Sequence, residues 1–161
     1  MSIKISYKNS VSEKLIKNYV LFANEEFKIN GLNKLSLSKQ SNQINRTINS
    51  NKSKKKEFII FNLNPDQKII LIKIKNNQTS TDNEKKGANF YNLVKSNLLT
   101  NLTFFDNNIY ETQTKNKIFI EEFLHGMQLK SYEFNKYKTK KEMTDMSINI
   151  VFKKKIPTKI K

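Results

Sequence analysis

The sequence predicts a three-layer α/β domain in which helices flank a mixed central sheet. The predicted order of elements is β-β-α-β-β-α-β-α-β, and strands that alternate with helices favour crossover connections and parallel pairing. Two apolar runs flank the turn sequence Asn64-Pro65-Asp66, which predicts one antiparallel hairpin within the sheet. The chain has 161 residues, of which 37% are hydrophobic, and this suffices for the core of one domain.

The first half of the chain supplies two strands, a helix and the hairpin. Ile3, Ile5 and Tyr7 alternate with polar residues and predict a half-exposed strand, whereas the continuous apolar run 19–23 predicts a buried one. A helix is predicted over 32–48, followed by a lysine-rich loop over 49–56. The helix prediction depends on one shared face: Leu37, Ser41, Ile44 and Ile48.

The second half supplies two helices and two strands. Thr81-Asp82-Asn83-Glu84 matches a capping box and predicts the start of a helix. The strand-helix-strand order that ends at 102–105 predicts a parallel pair. A second helix is predicted over 116–129, and a last strand over 147–152. The predicted buried faces are Phe90, Tyr91, Val94 and Leu98 on the first helix, and Phe119, Ile120, Phe123, Leu124 and Met127 on the second.

The net charge of +16 first suggests a nucleic-acid partner. Of the 30 Lys and Arg residues only Arg46 is an arginine, although arginine is the residue that best matches phosphates and bases. Lys, Asn and Ile all have AT-rich codons, so a biased genome also explains the charge. Both interpretations stay open, and the candidate phosphate contacts are Lys54, Lys55, Lys56, Lys136, Lys138, Lys140 and Lys141.

Several classes of function are excluded by composition. The absence of Cys removes disulfides and thiolate chemistry, and a single histidine, His125, cannot build an imidazole metal site. Gly31, Gly87 and Gly126 lie too far apart for a phosphate-binding loop. No apolar run reaches transmembrane length and no signal-peptide core is present, so we expect a cytoplasmic protein without a membrane partner.

No motif predicts catalysis. His125 has Glu121 four residues earlier on the same helix face. This pattern is more typical of a helical side-chain contact, or of a favourable interaction with the dipole at the end of the helix, than of a catalytic pair. The adjacent pairs Glu25-Glu26 and Glu121-Glu122 do not converge on one face as an acid/base dyad requires. The sequence therefore predicts no catalytic residue and no metal ligand.

Residues 130–141 interleave Tyr132, Phe134 and Tyr137 with lysines. This pattern fits a stacking surface for single-stranded nucleic acid. It fits equally well a helix-to-strand connection whose aromatic side chains dock on the core while lysine stems cover the rim.

The same segment resembles the end of the N-terminal domain of leucyl (cytosol) aminopeptidases. The residues that carry the resemblance are Gly126, Leu129, Tyr132, Phe134, Tyr137, Lys138 and Thr139. The order of elements agrees over nearly the whole chain, but only this final motif is specific. The chain departs from the family at 72–75, where glycines are common, and at His125, where an acid is common.

The resemblance implies a macro-like α/β domain over 1–152 and a basic linker or truncated end over 153–161. It implies a non-catalytic part of a two-metal aminopeptidase, a hydrolase that removes N-terminal residues from peptides. Two zinc or manganese ions and the catalytic groups would belong to a C-terminal domain, the partner of this one within a homohexamer. This domain would serve assembly and active-site access, and this chain alone would be inactive. A lysine-rich nucleic-acid-binding domain is the alternative. An ADP-ribose pocket is disfavoured, because phosphate loops need closely spaced glycines.

Overall fold

The structure, a computed structural model, describes residues 3–9, 15–29, 41–51, 57–75, 78–105, 108–109, 118–137 and 146–151. The strands in this part of the chain are β1 (Ile3–Lys8), β2 (Asn18–Ala23), β3 (Phe58–Asn64), β4 (Gln67–Lys73), β5 (Asn101–Phe105) and β6 (Met146–Val151). The helices are α1 (Ser41–Asn51), α2 (Ser80–Ser96) and α3 (Phe119–Tyr137). The predicted α/β class and order of elements are confirmed, while the boundary predicted at residue 152 lies outside the described residues.

The strands form one mixed sheet in the order β1-β6-β5-β2-β4-β3. Every neighbouring pair is parallel except β3 and β4, which form the predicted hairpin. The strands on either side of α2, β4 and β5, are parallel as predicted, but they are not neighbours. Both pair with β2, which lies between them. Every residue of β2 is buried, and such a strand takes the centre of a sheet that is covered on both faces.

Two hydrophobic cores lie on the two faces of the sheet, which gives the predicted three layers. Val20 and Phe22 face α2 and α3, whereas Tyr19 and Leu21 face the opposite side, as side chains alternate along a strand. The α1 helix covers that opposite side through Ile44 and Ile48. Phe22 is central to the first core, since its ring lies 5.3–5.9 Å from the rings of Phe104, Phe119 and Phe123.

The buried face predicted for α1 is correct, but the helix ends later than predicted. Ile44 and Ile48 are buried as expected. The helix continues through 49–51, which we predicted as loop. Residues 32–40, the predicted first part of this helix, and 52–56, the remainder of the predicted loop, lie outside the described residues.

The capping box of α2 lies two residues earlier than predicted. Thr79 is the N-cap in an extended conformation, its hydroxyl accepts a hydrogen bond from the Asp82 amide, and Asp82 accepts one from the Thr79 amide. A capping box needs a threonine three residues before an acid. Both Thr79 with Asp82 and Thr81 with Glu84 have this spacing, so the local sequence does not show which threonine caps the helix.

The end of α2 corrects a second prediction, the burial of Leu98. Leu98 is 86% exposed and has a positive φ of 56°, while Leu99 takes the buried position. Its amide donates to the Lys95 carbonyl and that of Leu99 donates to the Val94 carbonyl, the two bonds of a Schellman motif. The left-handed residue after the helix points outward, so the apolar pattern shifts by one position.

The α3 helix runs to Tyr137 and is longer than predicted. The interpretation of 130–141 as a connection is therefore wrong for 130–137, and 138–141 lie outside the described residues. The last strand starts at Met146, one residue before its predicted start. None of the described helices is long and apolar enough to cross a membrane.

Candidate functional site

The α2 and α3 helices meet at two glycines. A Cβ atom added to Gly87 would lie 1.9 Å from the carbonyl oxygen of Phe123, and one added to Gly126 would lie 2.0 Å from that of Glu84. Both distances are far shorter than any real contact, so the helix backbones touch directly at this point. The motif residue Gly126 is thus required for packing between two helices.

The same crossing brings together His125 and Glu84. The distance between Nδ1 of His125 and Oε1 of Glu84 is 3.0 Å. The carboxylate beside His125 is therefore not that of Glu121, one of the alternatives from the sequence: it comes from another helix, 41 residues away in the chain. Both side chains are more than a third exposed, at 55% and 38%. Water screens such a pair, which makes it a surface contact and not a catalytic dyad.

Two further motif residues lie on the outer surface of α3. Leu129 is 47% exposed and Tyr132 is 69% exposed. They follow His125 at intervals of four and three residues, so the three side chains form one stripe, which we call the α3 stripe. The domain's own core explains Gly126 but not these two residues, whose apolar surface is left facing solvent.

The other predicted site residues cannot be placed relative to one another. Phe134, Lys136 and Tyr137 belong to the backbone of α3, and their side chains are not among those described. Lys54, Lys55, Lys56, Lys138, Thr139, Lys140 and Lys141 lie outside the described residues. Whether the lysines form one face, as nucleic-acid binding would require, stays a prediction.

The carboxyl ends of the parallel strands are where open α/β sheets bind ligands. Here the end of β2 is filled by Asn108, which is fully buried. Its Oδ1 accepts a hydrogen bond of 2.6 Å from the Phe22 amide, and its Nδ2 donates one of 3.0 Å to the Phe22 carbonyl. Pairing between β5 and β2 stops at Val20, so Asn108 replaces the missing strand partner.

The loop after β2 closes on itself. Oδ1 of Asn24 accepts hydrogen bonds of 2.9 Å from the amides of Glu26 and Lys28. Phe27 has a positive φ of 60° and is nevertheless buried, so its ring closes this end of the second core. The polar groups at the end of β2 are thus engaged in holding the chain's own backbone.

A buried lysine performs the same task at the end of β4. Lys86 on α2 is 6% exposed, and its Nζ donates a 2.9 Å hydrogen bond to the carbonyl of Lys73. Oε1 of Glu57 lies 3.4 Å from the same Nζ. Burial lowers the pKa of Lys86 below its ordinary value, and the charge of Glu57 partly opposes this effect.

The positive end of α2 is likewise occupied. The carboxylate of Asp82 lies in the capping box, and hydrogen bonds from Thr79 lower its pKa. An anion that approached this helix end would meet a carboxylate already bound there.

Among the described residues, the buried side chains of Asn83 and Thr103 have no hydrogen-bond partner. Asn83 is fully buried, and neither atom of its amide group has a hydrogen-bond partner among the described residues. It lies on the inner face of α2, four residues before Gly87. Asn83, Lys86 and Asn108 were not predicted from the sequence. The helical spacing of residues 83, 87, 90 and 94 is the one local signal that could have indicated that Asn83 is buried.

The described residues do not fit a two-metal centre. No group of three or more metal-ligating side chains comes together within the described ranges. Two-metal hydrolysis needs several carboxylates that converge from opposed elements. No step of catalysis can be derived from this part of the chain.

No protein-family model and no curated protein matches this sequence. Among solved structures, a point mutant of tomato leucine aminopeptidase is similar, with a TM-score of 0.67 and 20% identity, over 98% of this chain and 34% of that one. A Thermus aquaticus DarG macrodomain has a TM-score of 0.55 and 5% identity, over 94% of this chain and 99% of that one. An Oceanobacillus iheyensis macrodomain mutant has a TM-score of 0.54 and 18% identity, over 93% and 84% of the two chains.

These similarities define the class of fold. The domain has a macro-like fold. Nearly the full length of this chain also matches one part of a leucine aminopeptidase. The fold implied by the final motif is therefore confirmed. The chain spans about one third of the aminopeptidase that it resembles.

Proposed function

We propose that this chain is a non-catalytic N-terminal domain, or a fragment, of a metal-dependent leucyl aminopeptidase. The observation that carries the proposal is the match in fold over 98% of the chain, found for a sequence whose final motif already suggested the same family. In this proposal, peptide hydrolysis and the two metal ions, zinc or manganese, belong to a separate C-terminal domain. The domain works in the cytoplasm and contributes to a hexameric assembly and to access to the active site.

The two roles of the motif support this proposal. Gly126 serves the packing of α2 on α3, and this need is met within the domain. Leu129 and Tyr132 serve no such need, since their side chains project from α3 into solvent. An aliphatic and an aromatic side chain on one exposed helical stripe are typical of a surface that becomes buried against another domain. We assign the α3 stripe to the contact with the catalytic domain.

The polar side chains described at the carboxyl edge of the sheet also support an accessory role over a nucleotide-binding one. Asn24, Lys86 and Asn108 hold the backbone at the ends of β2 and β4. Those side chains are not available to recognise a phosphate or a base. The lysine-rich alternative depends on lysines whose side chains are not among those described, and the similarity in fold does not favour it.

The first test is an activity assay with the purified chain. Leu-p-nitroanilide is incubated with the chain and added zinc or manganese, and a complete leucyl aminopeptidase serves as the positive control. We expect no release of p-nitroaniline above the metal-only blank. Metal-dependent turnover that co-purifies with this chain would contradict the proposal.

The second test concerns the gene. We expect the transcript to carry an open frame that continues with a segment rich in Asp, Glu and Lys, the ligands that a two-metal centre uses. A stop codon directly after Lys161, with no such frame nearby, would require a different role. In the longer protein, Leu129→Asp and Tyr132→Asp should weaken the contact with the catalytic domain, whereas Gln128→Asp, a half-buried position one residue away, serves as the matched control.

A further inference from the structure

The two edges of the sheet differ in how they are protected. An exposed strand edge can pair with another chain, and proteins commonly block it with lysine or proline. At one edge, β1 carries Lys4 and Lys8 on its exposed side. At the other edge, β3 has the sequence Phe-Ile-Ile-Phe-Asn-Leu-Asn, with no charge and no proline. Within the described residues, the β3 edge is therefore the one that carries no charge or proline against strand pairing.

The register identifies which backbone groups of β3 point outward. The Lys73 amide donates to the Glu57 carbonyl at 2.8 Å, so residues 57 and 73 form a hydrogen-bonded pair of the antiparallel ladder. Such pairs alternate with non-bonded ones, which makes Ile59 opposite Leu71 the next bonded pair. The amide and carbonyl groups of Phe58, Ile60 and Asn62 consequently point away from β4.

These outward groups match a second copy of β3 that runs in the opposite direction. With Ile60 opposite Ile60 of the second copy, Phe58 lies opposite Asn62, and the three pairs form about six backbone hydrogen bonds. On the other face of the sheet, Ile59 lies beside Phe61 of the second copy. Because β3 has no charged residue, the paired strands bring no like charges together. The arrangement is two-fold symmetric, so both chains use the same surface.

We propose that two copies of this chain associate through β3, antiparallel and two-fold symmetric about Ile60, and so continue the sheet from one copy into the other. Phe58, Ile60 and Phe61 are only half buried in one copy, so the pairing also covers apolar surface. A second copy fits better than a charged peptide, because the strand itself offers no charge to recognise one. The inference does not rest on the proposed aminopeptidase role.

The high net charge predicts how dimerisation depends on salt concentration. Two copies, each with a net charge of +16, repel one another at long range, and salt screens this repulsion. Dimerisation through an uncharged strand should therefore strengthen as salt increases. Binding to nucleic acid has the opposite dependence, since counterion release weakens it at high salt.

The test is the oligomeric state of the whole chain by sedimentation velocity. Protein at about 5 to 500 µM is compared at about 50 and 300 mM salt, and we expect a dimer whose fraction rises with both. Ile60→Pro removes only an outward amide, a change that edge strands accept, and should raise the dimer dissociation constant at least about tenfold. Ile60→Lys places like charges at the two-fold axis and should also raise the dimer dissociation constant. The matched control is Ser6→Lys on exposed β1, which should leave the dimer unchanged.

Hydrogen exchange gives a readout that does not depend on any variant. In the dimer, the amides of Phe58, Ile60 and Asn62 should exchange more slowly as the protein concentration rises. A monomer across the whole range would overturn the proposal. So would a dimer whose three amides exchange at the same rate at all concentrations, or a dimer unaffected by folded Ile60→Pro or Ile60→Lys. Open-ended polymers would also contradict it, because the two-fold pairing consumes the β3 edge.

Discussion

Gly126 in α3 lies directly against the carbonyl of Glu84 in α2, with no room for a side chain between them. The relationship is reciprocal, since Gly87 in α2 lies in the same way against the carbonyl of Phe123 in α3. Two helices of one layer are thereby held at backbone contact, and the His125–Glu84 pair lies beside this contact on the surface. The crossing connects the buried core of the domain to the α3 stripe.

Gly126→Ala should destabilise the domain by about 1–3 kcal/mol, because the new methyl group forces the helices apart. At an ordinary helix position, Gly→Ala stabilises by about 1 kcal/mol, so the sign of the change is diagnostic. Urea unfolding measures the difference in the free energy of unfolding. Gly87→Ala should behave alike, while Lys85→Ala at an exposed α2 position should change little. A stabilising Gly126→Ala would refute the backbone contact.

Asn83→Leu should stabilise the domain by about 1–3 kcal/mol, because it replaces a buried amide that lacks partners with an apolar side chain of similar volume. Asn108→Leu is the matched contrast: it removes the two buried hydrogen bonds that Asn108 exchanges with the amide and carbonyl of Phe22 and should destabilise by about 2–4 kcal/mol. Thermal and urea unfolding of both variants give the comparison. Equal signs for the two asparagines would show that their environments have been misassigned.

Leu98→Gly should stabilise by about 1 kcal/mol, because glycine adopts a positive φ without the steric cost that leucine bears. The leucine side chain is 86% exposed, so little burial is lost. The measurement is again the free energy of unfolding. Ser96→Gly, in the last turn of α2, is the control and should destabilise. A loss of stability in Leu98→Gly would mean that the Schellman geometry is not populated.

Lys86 should make stability rise with pH in alkaline solution. Burial lowers its folded-state pKa below the unfolded value of 10.5, so between these two values the unfolded chain binds more protons. Stability therefore increases as pH rises through that window. Lys86→Met should flatten this rise, and Lys85→Met, at an exposed neighbouring position, should retain it. Urea unfolding between about pH 8 and 10.5 tests this, and an unchanged slope in Lys86→Met would refute the assignment.

Periodicity along the chain was enough to predict most elements correctly. The alternation of Ile3, Ile5 and Tyr7 and the continuous apolar run of β2 report directly on how many faces of each strand are covered. The hairpin followed from its turn residues. Boundaries were harder: the start of α2 depends on which of two threonines caps the helix, and the end of α3 is not marked by glycine or proline.

The candidate site was far less accessible from sequence. Asn108 and Phe22 are 86 residues apart, and no local pattern connects them. Asparagine is so frequent in this chain that its presence does not distinguish a buried bridge from an exposed loop. Helical spacing offered Glu121 as a contact for His125 and could not indicate Glu84, because spacing within one helix cannot reveal a second helix packed across it.

The order of residues alone determined the α/β class, the hairpin and the motif around Gly126, since these depend on contacts between near neighbours and on local backbone preference. Only the tertiary structure decided the place of β2 between β4 and β5, the backbone contact at Gly87 and Gly126, and the contrast between the β1 and β3 edges. Those features depend on which distant segments meet, and packing of the whole chain selects that arrangement.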